Sequence, residues 1–145
     1  MVEYNLRFLH AVVEFHKYNM KVIHWKAKGV HFDTIHEIAE NTFGMLNEYS
    51  DLVAEMAIMN GQLPVSFPEI LEVLNKSEDR FEYLSTTALF NETEAIQNVQ
   101  TILFQIIDIT NKVKESLPDE EASELDSYLY KMRVEANYKC KMRLK

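Results

Sequence analysis

Five side chains in this sequence are of types that bind metal ions and recur at helical spacing: His24, His36, Glu40, Asp51 and Glu55. The last four lie in one stretch without proline. At about 100° per residue they fall within an arc of roughly 100° on one helix face. His36 and Glu40 are i,i+4 neighbours, and so are Asp51 and Glu55. The two pairs are nevertheless separated by about 22 Å along the axis, whereas a metal–ligand bond spans only about 2.0–2.5 Å. One straight helix therefore cannot bring both pairs to one ion. Two antiparallel copies of the helix can, if a two-fold axis crosses near Gly44 and Met45. The His36/Glu40 pair of one copy then faces Asp51/Glu55 of the other, and the symmetry makes two equivalent sites about 22 Å apart. Gly44 would let the two backbones approach closely. The residues taken alone also allow a plainer alternative. An acid pair such as Asp51/Glu55 is more often a solvated helix face, and two histidines within 12 residues can be an ordinary loop and helix start.

The elements that must position these residues are long helices. Apolar positions at Leu9, Val12, Val13, Met20 and Ile23 predict a first helix from about Glu3 to Lys26, with Gly29 as its terminator. A second helix is expected from Asp33 or Thr34 to about Asn60. Thr34-x-x-Glu37 has the form of a capping box there, and Asn60-Gly61 is the stop. Pro64 and Pro68 bracket a turn, and Pro68 can open a short helix through Leu74. Asn91-x-x-Glu94 predicts the start of a third long helix running to about Glu115. Pro118 suits the first turn of a fourth, where Asp119, Glu120 and Glu121 favour the positive end of the dipole. With 3 Gly, 3 Pro and 47% hydrophobic residues in 145, the chain is expected to be a single all-α domain spanning residues 1–145. The Met, Phe and Tyr residues are scattered at helical spacing and are expected in packing.

The segment HWKAKGVHFDTIHE at 24–37, followed by EYSDLVAEMAIMNGQLP at 48–64, resembles the Dps family, the miniferritins. The matching residues are His24-Trp25, Gly29, Phe32, His36-Glu37, Glu40, Asp51, Ala54-Glu55, Gly61 and Pro64, in register without insertion over about 40 residues. The resemblance implies a ferritin-like four-helix bundle with a short extra helix between the second and third helices. It further implies a homo-oligomeric shell, usually of twelve subunits, with dinuclear iron sites at two-fold interfaces. There ferrous iron is oxidised by peroxide or dioxygen and stored as mineral. Carried over by position, His24, His36 and Glu40 come from one subunit, and Asp51 and Glu55 from its partner. Carboxylate oxygens are hard ligands and imidazole nitrogens borderline ones, a mixture that suits iron. The resemblance also brings Trp25 near the iron site, where it would quench an oxidising equivalent; the plainer expectation is a core aromatic at the end of the first helix.

The sequence departs from that family in several positions. Glu40 stands where Asp is usual, Met56 where Arg usually follows the Asp-x-x-Ala-Glu box, and Trp25 is the single tryptophan, so the family's late Trp has no counterpart. Beyond residue 64 only the helix pattern matches. No Glu-x-x-His occurs anywhere, which argues against a diiron centre built inside one bundle. His10, His16 and His31 are expected to be surface or core histidines rather than ligands. The acidic run Asp119, Glu120, Glu121 and Glu124 sits where the family forms three-fold iron-entry pores, and helix capping accounts for it nearly as well.

Charge weighs against nucleic acid as a partner. The formal net charge is −8, so a shell of many copies is strongly anionic and repelled by duplex DNA. The charge is polarised, however: Lys131, Arg133, Lys139, Lys141, Arg143 and Lys145 face only Glu135 near the C-terminus. Two alternatives to a ferroxidase follow: a non-catalytic shell stabilised by metal, and a nucleoid-protecting protein acting through this basic end. No run of about 18 apolar residues suggests a membrane span, and the N-terminal residues lack the pattern of a secretory signal. Cys140 is the only cysteine and has no partner for an internal disulfide. A cytoplasmic location is expected.

Overall fold

In the structure, a computed structural model, residues 3–84 and 88–144 are described. Four long helices dominate: α1 (Leu6–Lys26), α2 (Phe32–Met59), α4 (Glu92–Lys114) and α5 (Asp119–Val134), with a short α3 (Glu69–Asn75) between α2 and α4. The last helix continues through a π-helical turn (Glu135–Cys140) into a final α turn, α6 (Lys141–Arg143). Among the described residues no strand forms, and a single isolated bridge joins Ala27 to Phe90.

Cross-chain contacts fix the topology. Along α1 and α2, His24 meets His36 at one end, Glu14 accepts from Ser50 in the middle, and the Arg7 N–H donates to Gln62 at the other. These two helices therefore form an antiparallel hairpin. Lys114 with Asp126 and Gln100 with the Ala136 carbonyl define a second hairpin from α4 and α5. His16 with Gln105, and Ala27 with Phe90, run α4 antiparallel to α1. Since α2 ends beside the start of α1 while α4 begins beside its end, the connection from 60 to 91 must travel the length of the bundle. α3 lies within that crossover.

Burial explains why the four helices hold together. α1 turns Leu6, Leu9, Val12, Val13, Met20 and Ile23 inward, all fully buried, and leaves Tyr18 and Trp25 on its outer side. α2 contributes Ile35, Ala39, Leu46, Tyr49 and Val53, and α4 contributes Ile96, Val99, Leu103 and Ile106. Among the described residues every buried side-chain nitrogen and oxygen except His24 Nδ1 has a hydrogen-bond partner, as desolvation requires. The Tyr49 hydroxyl lies 2.8 Å from Thr110 Oγ1, and Thr42 donates to Glu135 at 3.2 Å. Cys140 is fully buried in the π turn, and burial pushes its thiol up to about 12.

Helix ends show which local signals act. α1 begins at Leu6 rather than Glu3, because the Asn5 side chain caps it by accepting from the Phe8 N–H at 2.9 Å. The expected box at Thr34 does not form: α2 starts at Phe32, which puts Thr34 inside the first turn, and its N-cap His31 makes no side-chain cap bond. Gly61, at φ +73°, closes α2 with the Gln62 N–H on the Ala57 carbonyl and the Gly61 N–H on that of Ile58. α4 has a complete capping box, Asn91 Oδ1 accepting from the Glu94 N–H at 2.9 Å and Glu94 accepting from the Asn91 N–H at 3.4 Å. Asn91→Ala should cost about 1 kcal/mol, seen as a lower denaturant midpoint at unchanged slope.

The crossover is held to the bundle side by polar contacts. Arg7 donates to the Leu63 and Pro64 carbonyls and pairs with Glu69 at 2.9 Å. The Val65 N–H donates to His10 Nδ1, which makes His10 a buried anchor of the loop. Further on, Phe81 packs edge-on against Phe8 and Phe15. Asn19 binds the Glu82 carbonyl and the Leu84 N–H, and Gln105 donates to the Arg80 carbonyl.

Candidate metal centre

The end of α1 and the start of α2 are fixed before any ligand is considered. The Lys28 N–H donates to the Phe90 carbonyl at 3.0 Å, and the Phe90 N–H to the Lys26 carbonyl at 2.8 Å, so the last turn of α1 is tied to the entry of α4. Gly29, at φ +101°, makes the reversal, and the Phe32 N–H closes it on the Gly29 carbonyl. His24 is thereby held in the last turn of α1, opposite His36 and Glu40 in the first turns of α2.

Those three residues converge. His24, His36 and Glu40 each offer one ligand atom, and these atoms all lie within 4.8 Å of one another. The two imidazole Nε2 atoms are 2.7 Å apart, and the rings meet at a centroid distance of 3.7 Å with Phe32 against His36. His36 Nδ1 lies 3.1 Å from the His24 carbonyl oxygen. A carbonyl only accepts, so the proton of His36 is on Nδ1 and its Nε2 presents a lone pair. This is the outer contact that orients metal-binding histidines in general. Both histidines are half-buried and Glu40 is exposed. Burial lowers the His24 pKa, as do the neighbouring His36 and Lys21, while Glu40 works against them. His24 thus stays neutral to lower pH than a free imidazole; its Nε2 donates to His36 Nε2, and a metal ion would take the place of that proton.

Asp51 and Glu55 do not join this group. Both are exposed on the same side of α2, about 22 Å further along the axis, and among the described residues only His24, His36 and Glu40 cluster. Between the two pairs, Gly44 faces open space: a Cβ added there would meet nothing within 4 Å inside the protomer. Met56 is buried in the core.

The remaining candidate side chains have other surroundings. Trp25 is not a core aromatic; it is 60% exposed and packs edge-on against Tyr18 at 6.2 Å. His16 is buried and His31 makes a 3.5 Å pair with Glu92. Asp119, Glu120 and Glu121 occupy the first turn of α5, and Glu121 accepts from Asn60 at 2.6 Å. At the basic end, Arg143 pairs with Glu92 at 2.7 Å, Lys139 with Glu135 at 3.4 Å, and Lys131 lies over the Tyr128 ring. Lys145 lies outside the described residues. Two features carried no sequence signal. The His24 carbonyl as orienter of His36 depends on how two helix ends meet, and buried Glu135 depends on the π turn.

No protein-family model and no curated protein sequence matches the chain. Solved structures do match over nearly its whole length. The CAIP protein of Helicobacter cinaedi superposes with a TM-score of 0.83 at 18% identity, covering 97% of this chain and 96% of its own. Antigen TpF1 from Treponema pallidum gives 0.83 at 21% identity, with coverages of 97% and 88%. A Dps protein from Bacillus brevis gives 0.79 at 17% identity, with coverages of 97% and 92%. The chain has the fold of these proteins, the ferritin-like bundle with its short helix in the crossover.

Proposed function

We propose that this chain is the subunit of a Dps-like ferroxidase and iron store. Ferrous iron is its substrate, oxidised by peroxide or dioxygen at dinuclear sites that two subunits share, and the ferric product is retained inside a homo-oligomeric shell of twelve subunits. The observation that carries the proposal is the convergence of His24, His36 and Glu40, with Asp51 and Glu55 left unused on the same helix face. A second α2, antiparallel across an axis at Gly44, supplies the missing carboxylates to each half-site. The open space at Gly44 favours such an approach. The fold shared with a Dps protein supports the assembly, and the matched motif at 24–64 supports the chemistry.

In the proposed reaction each ferrous ion gives up one electron. Two ions together reduce one peroxide to two waters, taking up two protons as the O–O bond breaks, so no hydroxyl radical is released. With dioxygen the same two electrons and two protons yield peroxide. The residues of this chain hold the ions close: two imidazoles and a carboxylate from one side, two carboxylates from the other. Imidazole supplies borderline donors that tolerate both oxidation states, and carboxylate favours the harder ferric ion. Iron and peroxide would be removed together, which limits oxidative damage in the cytoplasm. DNA binding has no support beyond the basic end, where Arg143 and Lys139 already hold acidic partners.

The test is stopped-flow absorbance of anaerobic protein loaded with two ferrous ions per subunit and mixed with peroxide or with dioxygen. The expected result is oxidation much faster than in buffer, lost in Asp51→Ala. The faster oxidant identifies detoxification or storage as the main task. A rate equal to that in buffer rejects the ferroxidase and leaves a metal-binding shell.

A further inference from the structure

The end of α5 does not continue as an ordinary helix. At Glu135–Cys140 it widens into a π turn, with neither glycine nor proline to cause it. Such turns are rare, occur mostly as single insertions in α-helices and are frequent at functional sites. Glu135 opens this one and is buried. Its Oε1 accepts from Thr42 Oγ1 at 3.2 Å, and its Oε2 lies 3.4 Å from Lys139 Nζ. We infer that Glu135 is a positioning residue: acting through Thr42, it fixes the stretch of α2 at which two copies of the chain cross. That this stretch is a crossing rests on the function proposed above.

Thr42 stands midway between Glu40 and Gly44 in α2. Two residues turn a helix by about 200°, so Glu40 and Gly44 share one face and Thr42 points away from it. A hold on Thr42 therefore sets both the rotation of that face and its height above the bundle. Little else does so on the α5 side. A cavity of about 550 Å³ lies there between α2 and the end of α5, lined by Gly44, Met45, Tyr130, Val134 and Glu135 among others. Among the described residues, the hydrogen bond from Thr42 is the one that ties α2 to another helix between His36 and Tyr49. A buried ion pair adds little net stability, because desolvation offsets its attraction, and the use best attested for such pairs is to fix a register. Register matters at a centre whose two halves come from different chains, where a misplacement of about 1 Å can cost about 100-fold in rate.

Spin labels on the two copies test this. Cys140 is fully buried, so in Asp33→Cys protein the label goes to position 33, exposed in the first turn of α2. With the axis at Gly44 and Met45, the two labels stand about 35 Å apart by helix rise. Double electron–electron resonance then compares four proteins in this background. One is otherwise native. Thr42→Val keeps the side-chain shape and loses the bond. Thr42→Val/Glu135→Leu loses it without leaving a buried partner orphaned. Glu135→Gln keeps an oxygen that accepts from Thr42. Circular dichroism of each confirms the bundle.

The expected result is an inter-copy distance distribution at least about twice as wide in both variants that lose the bond, and of native width in Glu135→Gln. Iron oxidation in the same three variants without the label should be about tenfold slower in the first two and within about twofold of native in the third, which corresponds to a misplacement of well under about 1 Å. Native width in both variants that lose the bond overturns the inference. So does equal broadening in Glu135→Gln, because the restored acceptor then changes nothing. Native protein with no inter-copy distance overturns it together with the shared centre. Broadening that Glu135→Gln reverses, in a protein that oxidises no iron, upholds the inference and rejects the ferroxidase.

Discussion

His36→Ala and Asp51→Ala should each abolish rapid iron oxidation, yet their co-assembly should restore about a quarter of the native activity. Under the proposed function each single variant removes a direct ligand, so a loss of about 100-fold or more is expected. Neither residue supports the core: Asp51 is exposed and His36 is half-buried at a helix start, so both variants should fold. The recovery follows from symmetry. In a random equal mixture, about half of the two-fold pairs contain one chain of each kind. In such a pair one site combines both defects, while the other joins an intact His24/His36/Glu40 set to an intact Asp51/Glu55 pair. One site in two, in half the pairs, is a quarter of the total. Co-expressed variants with distinguishable tags, purified through both and assayed by stopped flow, give the measurement. No recovery would mean that the five residues do not meet across an interface.

The second large effect is a loss of stability in mild acid centred on His16. Burial lowers its pKa from the ordinary 6.5 to about 4, and its hydrogen bond to Gln105 only partly offsets that. The ring is neutral with the proton on Nε2, which faces Gln105 Oε1 at 2.7 Å, while Nδ1 accepts from Asn19 Nδ2 at 3.2 Å. A second proton on Nδ1 would set donor against donor. The unfolded chain binds that proton at its ordinary pKa and the folded chain resists it. The stability is therefore complete above pH 6.5 and is lost as pH falls toward 4. Between about pH 7 and pH 5 the loss is about 2 kcal/mol, since a proton taken up by the unfolded chain alone is worth about 1.4 kcal/mol for every tenfold rise in acidity. Urea unfolding at the two pH values should show it, and His16→Gln, which has nothing to titrate there, should show a much smaller change. Equal losses in both proteins would remove His16 from the explanation. Because Asn19 and Gln105 also hold the Glu82 and Arg80 carbonyls, the crossover should be the first part to gain hydrogen exchange.

Much of this architecture was legible in the sequence because its signals are local. Asn91 and Glu94 are three apart and form their box, and Asn60-Gly61 stops α2 through a left-handed glycine. Pro68 sits at the N-cap of α3, immediately before the helix expected there. Thr34 and Glu37 have the same spacing as a box and form none, because the turn at Gly29 starts α2 at Phe32. The π turn was not legible. It has no proline or glycine to mark it, and its buried acid is satisfied by Thr42, 93 residues away. The candidate centre divides in the same manner. His36 and Glu40 follow from spacing on one helix, and His24 joined them through the matched motif. The side chains that would complete the centre were never going to be neighbours in one chain, because helix rise alone keeps Asp51 about 22 Å from His36.

The burial of Cys140 bears on how a protein with the proposed function would withstand peroxide. Peroxide attacks the thiolate, and a thiol whose pKa is pushed up to about 12 holds roughly one thiolate in 10⁵ at neutral pH. It is also fully enclosed by the π turn. The first rung of cysteine oxidation, the sulfenic acid, is closed to it on both counts, and so is the crosslinking of subunits through disulfides. Oxidative wear falls instead on thioethers such as Met59 and Met142, 77% and 54% exposed, where sulfoxide formation disturbs no core and is repaired by reduction.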